Sequence, residues 1–361
     1  MKMSRHIRPF LAILVLMTVC LLLTESWAAE QAKVYRIEGR TTTFGGTGYV
    51  LGFGACDILN KKSDWVRCSV LESSGTPENI KVVGSDPKKR NHTFFTTSYE
   101  MFEMAKKGEG LFQQDSEKYK DLQVMINEQK LVAFIVTLDP SIRTLDQLKG
   151  KRVATWGKGT TKYEFTYKLI AGAGKDVVDS IQWQHTGYNG YDDMISGKTD
   201  AAISFAPEIG KGTFSIIPKL KELMSKRDVY FVSATPEMRQ RSADLFGDAY
   251  GASMTLPKDT YGPDSPRQDV LGFAIIIAWC VYPEMPEDVV YEIVKTLHEN
   301  YKMMADYHPA GKSWFPENFG TYPARKEDYH PGARKYYEEK GIPYGREWYR
   351  KVYESYKIKN Y

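Results

Sequence analysis

Three polar, glycine-bearing stretches hold the residue types most able to grip a small charged ligand. The first is Thr41-Thr42-Thr43-Phe44-Gly45-Gly46-Thr47-Gly48-Tyr49 and the second is Glu72-Ser73-Ser74-Gly75-Thr76-Pro77-Glu78-Asn79. The third is Trp156-Gly157-Lys158-Gly159-Thr160-Thr161-Lys162. Each follows a β-branched or aromatic run and leads into a segment of helical period. That places it where the unpaired amides of a helix's first turn can hold an anion, with glycine letting the ligand approach the backbone. Hydroxyls supply neutral donors, and Lys158 and Lys162 supply charge. Turn and capping chemistry accounts for any one such loop. Three of them, at the carboxyl ends of strands in alternating α/β order, argue a shared cleft. Candidate ligand contacts are therefore Thr42, Thr43, Phe44, Gly45, Gly46, Thr47 and Tyr49 in the first loop, and Ser73, Ser74, Gly75 and Asn79 in the second. Lys158, Gly159, Thr160, Thr161 and Lys162 come from the third, and Phe205 closes a later strand.

Nucleotide readings of these loops fail on spacing. A G-x-G-x-x-G from Gly46 would need glycine at Leu51, and a P-loop ending at Gly157-Lys158 would need glycine at Arg152 and a hydroxyl at Gly159. There is no H-E-x-x-H, G-x-S-x-G or C-x-x-C, and His92, His185, His298, His308 and His330 lack metal-ligand spacing. No cofactor or metal is expected, and binding is favoured over catalysis; a secreted α/β enzyme with a dispersed site is the rival.

The N-terminus sets the compartment. Lys2, Arg5, His6 and Arg8 precede an apolar run from Phe10 to Leu23, and small residues stand at Ser26 and Ala28. That is the layout of a secretory signal peptide spanning 1–28, whose apolar run is about four residues short of the roughly 18 of a membrane span. A periplasmic, exported chain is expected. Its removal takes the formal charge from +4 to +2, since Lys2, Arg5, Arg8 and Glu25 go with it. A nearly neutral chain offers no basic field for nucleic acid. Cys56, Cys68 and Cys280 are too sparse for a disulfide framework. Cys56 and Cys68 are read either as a bridge or, with Cys280, as buried small apolar residues.

The elements that must position the loops alternate. Val34–Glu38, Trp65–Leu71, Thr93–Thr96, Leu131–Thr137, Arg152–Trp156, Ala201–Phe205, Val229–Val232 and Leu271–Val281 read as strands. Tyr49–Lys61, Tyr163–Ala171 and Glu287–Met304 have helical period. Thr144 with Gln147, Thr161 with Glu164, and Thr97 with Glu100 fit capping boxes, and Thr76-Pro77 fits a helix start. The pattern predicts α/β architecture with largely parallel sheets, in a chain long enough for two domains.

The residues also carry a family resemblance. Thr42 to Gly52 resembles the T-G-T-G-G-T-Y-Y-P-L-G opening of the TAXI family of TRAP-transporter solute receptors, and Ser73 to Asn79 resembles its second loop. Ser141 to Val153 is similar to a segment common to many type II binding proteins. Gly197-Lys198-Thr199-Asp200-Ala201, Pro286 to Tyr291, His308-Pro309 and His330 to Tyr337 match later family segments. The resemblance implies a type II periplasmic-binding-protein fold, two α/β lobes joined by crossing strands at Leu131–Thr137 and Leu271–Val281. Lobe one would comprise 29–134 plus 283–361, and lobe two 135–282. It further implies a monomer that captures a small organic anion, a carboxylate such as a dicarboxylate or glutamate-like acid, for a TRAP-type membrane permease; service to a sensor is the alternative. Thr96, Thr97 and Ser98 stand where the family has a polar Q-S-D, without the acid, and join the candidate contacts. Gly48 stands where the family has tyrosine, and Thr161-Lys162 where it has G-T.

Overall fold

The computed structural model describes residues 34–210, 212–247 and 253–357; the leader expected at 1–28 lies outside them. Two long antiparallel strands organise the molecule, β4 (Gln123–Thr137) and β11 (Val270–Val281). On one side of this pair, β11 hydrogen-bonds to β3 (Thr93–Ser98), and β1 (Tyr35–Arg40) and β2 (Val66–Leu71) continue in parallel. On the other side β4 pairs with β7 (Ala201–Gly210), followed in parallel by β5 (Arg152–Ala154) and β6 (Gln182–Gln184). Three short strands complete the sheet: β8 (Thr213–Phe214) on β7, β9 (Tyr230–Val232) on β4 and β10 (Ser253–Leu256) on β11. The fold is thus two α/β lobes joined by crossing strands.

Each half of the sheet has its own apolar packing. One gathers Ile37, Leu59, Phe94, Trp279 and Val290 with the tyrosines of the C-terminal region. The second half of the sheet is covered on both faces, by Ile135, Leu169 and Phe273 on one and by Phe134, Leu220 and Val270 on the other. Strands buried on both faces read as near-continuous apolar runs, which is why most were legible in the sequence. Among the long strands, β4 was legible only in part. It begins eight residues before the expected Leu131, because Asn127-Glu128-Gln129-Lys130 interrupts the apolar pattern.

Helix α1 (Thr47–Lys62) buries Leu51, Ala55, Ile58 and Leu59, the face expected from their spacing. Gly52 lets it press on the end of β1, since a Cβ there would stand 2.2 Å from Thr41 Cγ2. Cys56 of α1 and Cys68 of β2 are bridged, and Asn60 bonds both backbone groups of Cys68. Cys280 is free and buried. Helix α2 (Thr76–Gly84) starts from Gly75 rather than Thr76, which is already helical. Helix α3 (Tyr99–Lys107) starts from Ser98, since Thr97 is still in β3. Helix α4 (Thr161–Ala171) is capped by Thr160, not Thr161. Only the Thr144–Gln147 box forms as expected, on a 3₁₀ turn. Helix α5 (Glu287–Glu299) stops short of Met304, and a 3₁₀ turn at Tyr301–Met303 follows. Among the described residues no helix is long and apolar enough to cross a membrane.

Candidate functional site

The first two loops are largely occupied with holding strand ends. Ser73 Oγ donates to the Thr41 carbonyl at 2.8 Å and accepts from the Gly75 amide at 3.1 Å. Ser74 donates from both its amide and its hydroxyl to Glu78, which also pairs with Arg40. Asn79 Nδ2 donates to the carbonyls of Thr41 and Thr96, clamping β1 to β3. Thr43, Phe44 and Gly45 are exposed, with Phe44 73% exposed and its ring 5.1 Å from that of Tyr49. Gly46 is the extended N-cap of α1, and Thr47 its first residue. Thr42 stands beside Gly48 at the start of α1.

The polar run in β4 supplies a group the sequence did not single out. Opposite β11, Ile277 pairs with Gln129 but Ala278 pairs with Asn127, so Glu128 is an extra residue in a β-bulge. A bulge re-aims side chains, and here Glu128 and Gln129 project together. The Glu128 carboxyl is fully buried and accepts from Thr96 Oγ1 at 2.8 Å and Gln129 Nε2 at 3.2 Å. Burial pushes it up to about 8 against these donors. Lys130 turns to the opposite face and donates to Asn318 at 2.9 Å. Thr97 bonds weakly to the Ser98 carbonyl, and Ser98 Oγ is buried with no partner among the described residues.

The third loop carries the positive charge. Thr160 Oγ1 donates to the Gly157 carbonyl at 2.7 Å and receives the Tyr163 amide, completing the cap of α4. Gly159 approaches Leu111 of the other lobe, and Lys158 is exposed. Lys162 instead folds inward. Its ammonium lies 4.0 Å from the ring centroid of Trp156, 5.0 Å from Tyr188 and 5.7 Å from Phe205. His185 Nδ1 meets the Trp156 carbonyl at 2.8 Å, and Trp156 packs edge-on against Tyr188. Burial alone lowers the Lys162 ammonium to about 8, with no acid offsetting it among the described residues. Cation–π contact holds the charge only partly. Thr161 Oγ1 beside it is also buried without a partner.

The face of the sheet links these groups. Ser98 lies opposite Ile277, Ile277 opposite Gln129, and Ala133, two pleats along, opposite Phe205. Directly opposed residues share a face, so Ser98, Gln129 and Phe205 line one side of the crossing strands. The two lobes also touch through an ion pair. Lys168 of α4 donates to Glu100 of α3 at 2.7 Å, with side chains 10% and 0% exposed, and Glu164 lies 3.7 Å from the same ammonium. Among the described residues no group of three or more His, Cys, Asp or Glu could hold a metal ion.

Sequence reasoning missed Glu128, Gln129, Tyr188 and the Glu100–Lys168 pair. Four consecutive polar residues between Ile126 and Leu131 were the available signal for the first two.

A family model described as the NMT1-like family matches residues 40–341. No curated protein matches the sequence. Solved structures similar to the chain include a TctC solute binding protein from Polaromonas, 13% identical over 78% of this chain and 90% of that one, with a TM-score of 0.44. MatC from Rhodopseudomonas palustris with bound malate is 13% identical, covering 89% of this chain and 99% of that one, with a TM-score of 0.46. A TRAP periplasmic solute binding protein from Chromohalobacter salexigens with bound D-glucuronate is 11% identical over 90% and 95%, with a TM-score of 0.38. These likenesses are distant, and the family assignment rests on the match across residues 40–341.

Proposed function

We propose that this chain, a solute-binding protein that belongs to the NMT1-like family, captures a small organic anion between its lobes and delivers it unchanged to a TRAP-type membrane permease. The observation that carries this reading is Lys162, a cation drawn inward over three aromatic rings with no acid offsetting it among the described residues. A charge held away from water is costly unless it is paired, and a ligand carboxylate would supply the partner. Thr161, whose hydroxyl is buried and unpartnered in the same first turn of α4, adds a neutral donor.

Lobe one is assigned to 29–134 plus 283–361 and lobe two to 135–282, so that the first two loops face the third across the crossing strands. A monomer suffices for this, because each lobe has its own core. The Cys56–Cys68 bridge supports an oxidising, extracytoplasmic compartment. A thermal-shift screen of the protein against mono- and dicarboxylates tests the reading, since a ligand that binds the native state raises its apparent stability by mass action. At least one carboxylate should raise the melting temperature and be recovered intact. Stabilisation by none of them, or conversion to product, would overturn it.

A further inference from the structure

Gln129 and Glu128 form a second polar group on the face of the crossing strands that carries Phe205, and its Glu128 carboxyl and Gln129 amide oxygen are acceptors. Glu128 receives hydrogen bonds from Thr96 and Gln129, and among the described residues no Lys or Arg pairs with it. Because the Gln129 amide nitrogen points at Glu128, its amide oxygen is turned outward. That oxygen is buried without a partner, in a residue 3% exposed. Ser98 Oγ, in a residue 1% exposed, is a second atom on this face without a partner among the described residues. Gly48 lets the first turn of α1 come close to the carboxyl, since a Cβ there would stand 3.1 Å from Glu128 Oε1. A ligand anion seated at the start of α1 would therefore meet the protein's own acid. An N–H-rich cation would donate to the Glu128 carboxyl and the Gln129 amide oxygen together, and charge-assisted bonds of this kind are the strong ones.

We infer that Glu128 and Gln129 form a subsite for a protonated amine, so that the ligand is a zwitterion with its ammonium on the crossing strand and its acid at Lys162. The inference rests on the assignment of the acid to Lys162. Register then sets the shape of the ligand. Phe205, against which Lys162 lies, is opposite Ala133, four residues along β4 from Gln129. Four residues of strand span about 13 Å. The two charges of the ligand therefore sit at opposite ends of a chain, as in an ω-amino acid, and not on one carbon.

Calorimetry with matched probes tests this: 4-aminobutyrate, 5-aminovalerate and 6-aminohexanoate, each against the carboxylic acid and the primary amine of the same length. At least one amino acid should bind about tenfold tighter than both of its partners. Glu128→Gln should reduce it to the level of the plain acid, and Lys162→Met to the level of the plain amine. If Glu128→Gln does not fold, Gln129→Leu, which removes the outward oxygen, is read in the same way. Acids that bind as tightly as their amino counterparts, or a preference unmoved by both β4 variants, would overturn the amine subsite while leaving the anion site standing. Amines that bind as tightly as the amino acids would instead remove the anion site and leave the amine subsite. No binding by any of the nine probes would overturn the inference.

Discussion

Lys162 and Lys158 are four residues apart and looked equivalent in the sequence, yet their surroundings differ. Lys158 is exposed, whereas Lys162 is drawn in over Trp156, Tyr188 and Phe205. A positive residue in the first turn of a helix gains nothing from the helix dipole, so its inward pose calls for another explanation, and a ligand anion supplies one. Lys162→Met should weaken carboxylate binding by roughly 1.5–3 kcal/mol, a tenfold to hundredfold rise in the dissociation constant. Lys158→Met should barely matter, and neither should Lys151→Met. Titration calorimetry on the three variants decides, and equal affinities would leave the loop amides and hydroxyls as the anion's only hold. At this scale the sequence showed residue types but not direction. Ser73, Ser74 and Asn79 have the chemistry of ligand contacts, yet the side chains of Ser73 and Asn79 hold strand ends and that of Ser74 bonds Glu78. Glu128 looked like part of an irregular polar segment until the register with β11 revealed the bulge.

Between elements, the contact with the clearest consequence is the ion pair that joins α3 to α4. Glu100 is fully buried, and burial pushes its carboxyl up to about 7 although Lys168 pulls the other way. Its pKa in the folded state thus lies above the unfolded value of about 4.3. The folded chain holds a proton that the unfolded chain releases, so this group's contribution to stability falls as pH rises from about 4 to about 7 and then levels. Glu100→Gln should remove that part of the slope in denaturant melts. Lys168→Met strands the acid, and should cost about 3 kcal/mol at pH 8 but less at pH 6, where Glu100 is protonated. A loss that does not change with pH would show that Lys168 acts by packing alone. The pair was not legible in the sequence, because residues 68 positions apart on two helices carry no local signature. The helix starts were half legible. A hydroxyl before each helix was evident, but Ser98 and Thr160 hold the N-cap positions instead of Thr97 and Thr161. Adjacent hydroxyls leave a one-residue ambiguity that only backbone geometry resolves.

For the whole molecule, the alternation of apolar strand and helical period predicted α/β architecture, and the order of the strands realises it as two lobes on crossing strands. That level was readable because parallel strands buried on both faces are unbroken apolar runs. The short strands β6, β8 and β10 were missed, being two to four residues long and set by their neighbours. The lobes meet at Glu100–Lys168, and the unpartnered Gln129 amide oxygen lies on the face of a strand that joins them. A ligand can drive closure only if it binds the closed arrangement better than the open one, which here requires it to touch both lobes. Small-angle scattering reads this directly, with the protein measured alone and at saturation with whichever probe most raises its melting temperature. The account predicts a smaller radius of gyration in the saturated sample; an unchanged radius would contradict capture by closure.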